Sequence, residues 1–381
     1  TWASFAIAFF FRPLGAVVFG RIGDRIGRKP TLIIVLVLMT LATAAIGIVP
    51  VYASIGIAAP LIVTLLRILQ GLFAGGEYGG AVSLMTEFAP RGKRGLYGAW
   101  QSFTVALGLL AGAGIVALLS ALLSPEALHD WGWRIPFLLS SVLVILGLWI
   151  RKDIDETPDF QKVKKSGQVA KAPLRDTIKH HWREVLIAAG LKVVETAPFY
   201  IFSTFVVSYA TTTLTYQKSQ ALEAVTLGAL VATIMIPLMG LLSDRVGRQR
   251  MYAVSVFVLG LFIVPWFMLL NTGTTWGIVL ATVIAFGVLW APVTAVLGTL
   301  CSEIFSANVR YTGITLGYQL GAALAGGTAP LIATGLLAKY DGDWVPVAWY
   351  LGVTVAISLI AIFCASRINC ERHLQAQPEQ R

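Results

Sequence analysis

Charge is scarce in this chain. Only 13% of its 381 residues are Asp, Glu, Lys or Arg, against roughly 25% in soluble domains. With 57% hydrophobic residues and a mean hydropathy of +0.77, a water-soluble fold has nowhere to hide so much apolar surface. Cysteine is rarer still: Cys301, Cys364 and Cys370 have neither disulfide nor metal-ligand spacing and read as core or tail residues. The four histidines, His129, His180, His181 and His373, fall in polar stretches, so no metal site is expected. Also missing are G-x-S-x-G, H-E-x-x-H, the phosphate loop G-x-x-x-x-G-K-[ST] and a dinucleotide fingerprint. These absences argue against an enzyme and against any cofactor. Without an ATP-binding loop, any transport must draw on an ion gradient.

What the chain does have is apolar length. Runs lie at 2–19, 31–49, 59–85, 95–123, 133–150, 184–213, 222–242, 251–270, 275–300, 312–338 and 346–366. Runs of about 20 apolar residues cross a hydrocarbon core of roughly 30 Å as helices. The expected class is an all-α polytopic membrane protein. The net charge of +10 does not point to nucleic acid, because the basic residues are sorted by loop rather than gathered in a patch. Apart from Arg12, Arg67, Arg134, Lys192, Lys218 and Lys339, every Lys and Arg falls in 20–30, 86–95, 151–183, 240–250, 301–311 or the tail. Basic loops stay on the cytoplasmic side, which places these segments there and residue 1 on the outer side.

One charged motif interrupts the apolar pattern twice. GRIGDRIGRK at 20–29 has a near copy, GLLSDRVGRQ, at 240–249. Glycine, aspartate, arginine, glycine and arginine recur as Gly20/Gly240, Asp24/Asp244, Arg25/Arg245, Gly27/Gly247 and Arg28/Arg248. The pattern resembles the signature loop after the second helix of the major facilitator superfamily. FRPLGA, RILQGLFAGGEYGGA, WGWRIPF, DETPDF at 155–160 and GYQLGAALAGGTAP narrow the resemblance to its metabolite:proton symporter branch. Sugar porters, the nearest rival, usually carry a PESPRW-type sequence where DETPDF stands.

The resemblance implies two pseudo-symmetric six-helix bundles rocking about a central site. The eleven runs would then be helices two to twelve, with the first helix missing from this chain. The expected division is an N-terminal bundle over 1–150, a cytoplasmic linker with an interfacial helix over 151–183, a C-terminal bundle over 184–366 and a cytoplasmic tail over 367–381. It further implies that Asp24 and Asp244 bond across the halves, near the cytoplasmic ends of the tenth and fourth runs. Arg25, Arg28, Arg245 and Arg248 complete this conformational latch.

Ionisable residues inside apolar runs are the candidates for chemistry, because a charge near the bilayer centre costs at least about 2.5 to 3.5 kcal/mol. The third run holds Arg67, Gln70 and Glu77. Arg67 and Glu77 are roughly 15 Å apart along a helix and on different faces, so each needs a partner elsewhere. Arg67 suits an anionic substrate, since guanidinium stays charged and binds carboxylate bidentately. Glu77 is a candidate proton carrier, with Arg12 in FFFRPLGA as its expected ion-pair partner. The sixth run presents Lys192 and Glu195 at i, i+3, neighbours on one face. Gln101 is the polar member of a stripe with Thr104, Gly108 and Gly112 that reads as helix packing, like Gly71, Gly75 and Gly79 in the third run. Pro198 and the Gly326, Gly327, Pro330 group are expected breaks.

These features predict a secondary transporter in the inner membrane, a monomer taking up a small organic metabolite with protons. A carboxylate of the shikimate, oxo- or dicarboxylate class is the preferred substrate. A zwitterionic osmolyte, a sugar or drug-type antiport are the alternatives.

Overall fold

A computed structural model describes residues 2–90, 92–152, 161, 173–305 and 309–375. Among them there is no strand, and eleven helices are long and apolar enough to cross a membrane. They are α1 (Ala6–Ile26), α2 (Arg28–Ile48), α3 (Ala58–Glu87), α4 (Arg94–Leu122), α5 (Gly132–Trp149), α6 (Trp182–Thr212), α7 (Lys218–Val246), α8 (Arg248–Leu270), α9 (Thr275–Ile304), α10 (Arg310–Lys339) and α11 (Val345–Arg367). A short helix, Pro173–His180, leads into α6. DETPDF and most of the basic linker lie outside the described residues.

The repeated charged motif is tighter than the loop its composition suggests. Helix α1 runs to Ile26 and α2 starts at Arg28, leaving Gly27 alone outside helical geometry at φ 112°. Gly247 does the same between α7 and α8 at φ 95°. Side chains with a Cβ rarely adopt that region, so glycine is what allows a one-residue reversal. The consequence is that Asp24 and Asp244 sit within helices, three residues before the turn.

Helix α3 is not continuous. Its first segment ends at Ala74 and its second starts at Glu77, with Gly75 and Gly76 between. Breaks inside a membrane need their freed carbonyls satisfied by protein. Here α10 does it: Gln319 Nε2 donates to the carbonyls of Ala74 (3.2 Å) and Gly75 (3.4 Å), and the Tyr311 hydroxyl donates to that of Gly76 (2.7 Å). Helix α10 itself breaks at residues 326–328, α6 has a π-turn at Ile201–Phe205 just after Pro198, and α9 has one at Val283–Leu289.

Of the helix pairs that join the first five spans to the last six, α1 with α10 and α4 with α7 pack most extensively, with α4 against α9 and α3 against α10 beside them. Small residues set their approach, but not all the expected ones. A Cβ on Gly71 or Gly75 would run into the backbone of α1, and one on Gly79 would strike Thr315 of α10. Gly108 and Gly112 differ from expectation, since a Cβ there would meet nothing within 4 Å. Helices α4 and α7 touch near Gly95, Ala99 and Gly240, then diverge around a cleft of about 850 Å³ lined by Gly108, Gly112, Leu222 and Glu223. These two helices are in contact at the motif end and apart at the other.

Candidate functional site

The motif end is closed by charges used as helix caps. Asp24 Oδ2 accepts from the Thr312 amide (3.2 Å) and hydroxyl (2.5 Å) at the start of α10. Asp244 accepts from the Gly95 and Leu96 amides, at 2.8 and 3.1 Å, at the start of α4. The first amides of a helix have no intrahelical partner and carry partial positive charge, which suits a carboxylate. The two contacts are equivalents under the sequence repeat, each reaching from one half to the other.

Arginines extend this closure. Arg248 bonds Asp244 at 2.8 Å and Glu303 at 2.6 Å, and Arg310 Nη1 donates to Glu87 at 3.2 Å, with Arg28 Nη2 3.6 Å from the same carboxylate. Arg28 is nearly inaccessible, at 1% exposure, whereas Arg25 and Arg245 lie at the surface. A polar cavity of about 210 Å³ between Glu87, Arg94, Glu303 and Arg310 lies inside this ring.

Half a membrane deeper lies a second cluster, in the plane where the halves meet. Lys192 and Glu195 form an ion pair on α6, at 4% and 5% exposure. Glu195 is otherwise held by two hydroxyls, Thr196 Oγ1 to Oε2 (2.9 Å) and Thr294 Oγ1 to Oε1 (3.0 Å), while Trp290 Nε1 donates to its backbone carbonyl (2.7 Å). The Lys192 ammonium lies 3.7 Å from the centroid of the Tyr318 ring, which stacks on Tyr78 from α3. Cations over aromatic faces gain electrostatic energy that grows when water is excluded. Two charges, two hydroxyls and two tyrosines from four helices thus converge on one point.

Arg12 joins this cluster from α1. Its guanidinium lies 3.8 Å from the Phe9 ring centroid, and its charge bears on Lys192, Tyr200 and Tyr318. Glu77 opens the second segment of α3, and the charge that Arg12 bears on at this cluster is that of Lys192.

The other candidates disperse. Gln70 donates to Thr43 of α2 at 2.7 Å, a contact inside the first half. Arg67 is half-buried on the first segment of α3 and takes no part in the cluster. Gln101 is half-buried on α4, its carbonyl accepting from Thr104 at 2.6 Å. Among the described residues no group of His, Cys, Asp or Glu is arranged to hold a metal. Sequence reasoning did not single out Tyr78, Trp290 or Thr294, because an aromatic or a threonine in an apolar run is indistinguishable from core filler until its neighbours are known.

A bundle of membrane-length helices in two repeated sets, locked at one end and meeting on buried charges at mid-depth, defines a membrane transporter. The chain belongs to the Major Facilitator Superfamily, whose family model matches residues 2–326. It is 35% identical over 352 residues to the shikimate transporter of Escherichia coli, covering 92% of this chain and 80% of that one. The E. coli inner membrane metabolite transport protein YhjE is 36% identical over 368 residues, covering 94% and 82%. The Salmonella typhimurium proline/betaine transporter is 34% identical over 367, covering 94% and 73%. In fold it is similar to the proton:xylose symporter XylE, with a TM-score of 0.70 at 17% identity over 95% of this chain and 85% of that one.

Proposed function

We propose that this transporter imports a small organic carboxylate together with protons, working as a monomer by alternating access in the inner membrane with the motif end facing the cytoplasm. The observation that carries the reading is the pair of cations where the halves meet, half-buried Arg12 and buried Lys192, gathered about Glu195. An anionic substrate of unit charge balances that site, and a neutral sugar does not. The kinship with a shikimate transporter supports the carboxylate class.

A second reading is favoured by the aromatic walls. Phe199, Tyr200, Phe286 and Trp290 pack edge to face or tilted, with centroids 5.0 to 5.6 Å apart, beside Lys192 and Arg12. Ring faces bind alkylammonium groups, so a zwitterion could place its carboxylate on the cations and its ammonium on the rings. Uptake of radiolabelled shikimate, α-ketoglutarate, proline and glycine betaine into proteoliposomes, with and without an imposed pH gradient, separates the readings. Gradient-driven accumulation of the organic acids supports the first, and accumulation of only proline or betaine supports the second.

Asp24 and Asp244 then act as latches on the cytoplasmic closure. Asp24→Asn removes the charge from the start of α10 while keeping an acceptor oxygen, a loss of about 1 to 2 kcal/mol for a buried helix-end charge. Turnover should fall roughly five- to thirtyfold, with affinity measured by calorimetry unchanged within a few-fold. A large loss of affinity with normal turnover would remove Asp24 from the latch.

A further inference from the structure

We infer that Glu195 carries the coupled proton, and that its protonation transfers Lys192 from Glu195 to the substrate's carboxylate. This rests on the reading above that the site takes a carboxylate. The geometry that points to it is exclusivity. Glu195 places Oε2 on Lys192 and Thr196 and Oε1 on Thr294, and among the described residues it is the carboxylate that the ammonium pairs with. The remaining contacts of the ammonium are ring faces, Tyr318 at 3.7 Å and Tyr78 at 5.9 Å. Aromatic faces cannot compete with a carboxylate for an ammonium, whereas a second carboxylate can. A substrate carboxylate therefore has one obvious rival, and the rival is displaced by neutralising it.

The groups facing Glu195 are consistent with this exchange. Lys192 and Tyr200 lie on its own helix, Arg12 comes from α1, Tyr78 from α3, Tyr252 from α8, Cys301 from α9 and Tyr318 from α10. Arg12 and Lys192 are the cations of this set, and the phenols and the thiol are neutral near pH 7. With Glu195 ionised the set carries one net positive charge. Adding substrate alone would bring two carboxylates to the same ammonium in a dry site, where like charges repel strongly. Adding substrate and proton together leaves the substrate's carboxylate as the one ionised carboxylate on the two cations, and a proton alone would leave both cations without one. That makes binding of the pair favourable over binding of either alone, which is the thermodynamic content of coupling.

The atoms balance without any further reactant. A proton from the outer side adds to Oε2 of Glu195, and the ion pair with Lys192 breaks. The new carboxylic acid keeps its threonine hydroxyls, now donating to one of them. The substrate's carboxylate closes on Lys192 Nζ and the Arg12 guanidinium. On the cytoplasmic side the proton leaves Oε2, the Lys192 to Glu195 pair re-forms and the substrate is expelled. One proton moves per carboxylate.

Two measurements test this. In proteoliposomes loaded with shikimate, α-ketoglutarate, proline or glycine betaine, Glu195→Gln should exchange label within about tenfold of wild type, yet its accumulation ratio under a pH gradient should fall to about one. Glu195→Asp should keep accumulation, which a role in packing alone does not predict for a shortened side chain. Substrate-free infrared difference spectra between high and low pH should show the carbonyl stretch of a buried carboxylic acid in wild type. That band should shift in Glu195→Asp, vanish in Glu195→Gln and persist in Glu77→Gln and in the surface variant Glu126→Gln. Accumulation by Glu195→Gln, or a difference spectrum that this variant leaves unchanged, overturns the inference. Should wild type accumulate none of the probes, the carboxylate reading fails, while the infrared result still decides whether Glu195 takes the proton.

Discussion

Lys192→Met should abolish accumulation and cut initial uptake about a hundredfold or more, with a fall in stability alongside. The variant keeps the volume and removes the charge, leaving Glu195 ionised among apolar and aromatic side chains with only its hydroxyl bonds. Removing one partner of a buried pair costs about 3 to 5 kcal/mol, because the survivor is left desolvated and uncompensated. Converted at 1.4 kcal/mol per tenfold, even the lower figure is about a hundredfold in any state that needs the pair. Thermal unfolding in detergent and uptake in proteoliposomes read the two consequences separately. The double variant Lys192→Met/Glu195→Gln should recover most of the stability, since no unpaired charge remains, and none of the accumulation. Recovered accumulation in that double variant would show that neither residue belongs to the transport site.

Gly240→Leu should hold the motif end open. A Cβ at Gly240 would lie 2.5 Å from the Ala99 Cβ, 2.9 Å from the Gly95 carbonyl and 3.2 Å from the Leu96 Cα. Backbone on the far side cannot rotate away as a side chain does, so α4 and α7 must separate. Overpacking of this kind costs about 1 to 3 kcal/mol, and the cost applies only to the conformation in which these helices touch. A penalty of about 2 kcal/mol shifts that equilibrium roughly thirtyfold. The Asp244 caps on Gly95 and Leu96 should be lost at the same time, because they bridge the same contact. A cysteine at Ser302, buried beside the polar cavity, should then react with water-soluble reagents from the motif side and stay protected in the parent. Gly108→Leu, on the same α4 but facing the open cleft, should leave Ser302→Cys protected. Protection of Ser302→Cys in the Gly240→Leu background would mean that this contact does not control closure.

The helices, the repeat and the Lys192 to Glu195 pair were legible in the residues because each depends on local rules. Apolar length sets a membrane span, the glycine at 27 and 247 allows the reversal, and i, i+3 spacing puts two side chains on one face whatever surrounds them. The positions of Asp24 and Asp244 were likewise fixed by their motif, and the structure finds both at the first amides of α10 and α4. Spacing along one helix said less about Arg12, whose charge bears on Lys192 of α6. Depth along a helix does not say which helix lies opposite, and packing decides that.

The same limit explains Gly108 and Gly112. A stripe of small residues marks where a helix can approach another closely, but whether it does so depends on the conformation, and in this one α4 and α7 have swung apart there. What the sequence determined alone was therefore the set of spans, their internal repeat and the charges that each span must bury. Tertiary structure decided which buried charge meets which. Tyr78, Glu195, Thr294 and Tyr318 come from four helices up to 240 positions apart in the chain, and no rule of spacing along one helix reaches across to another.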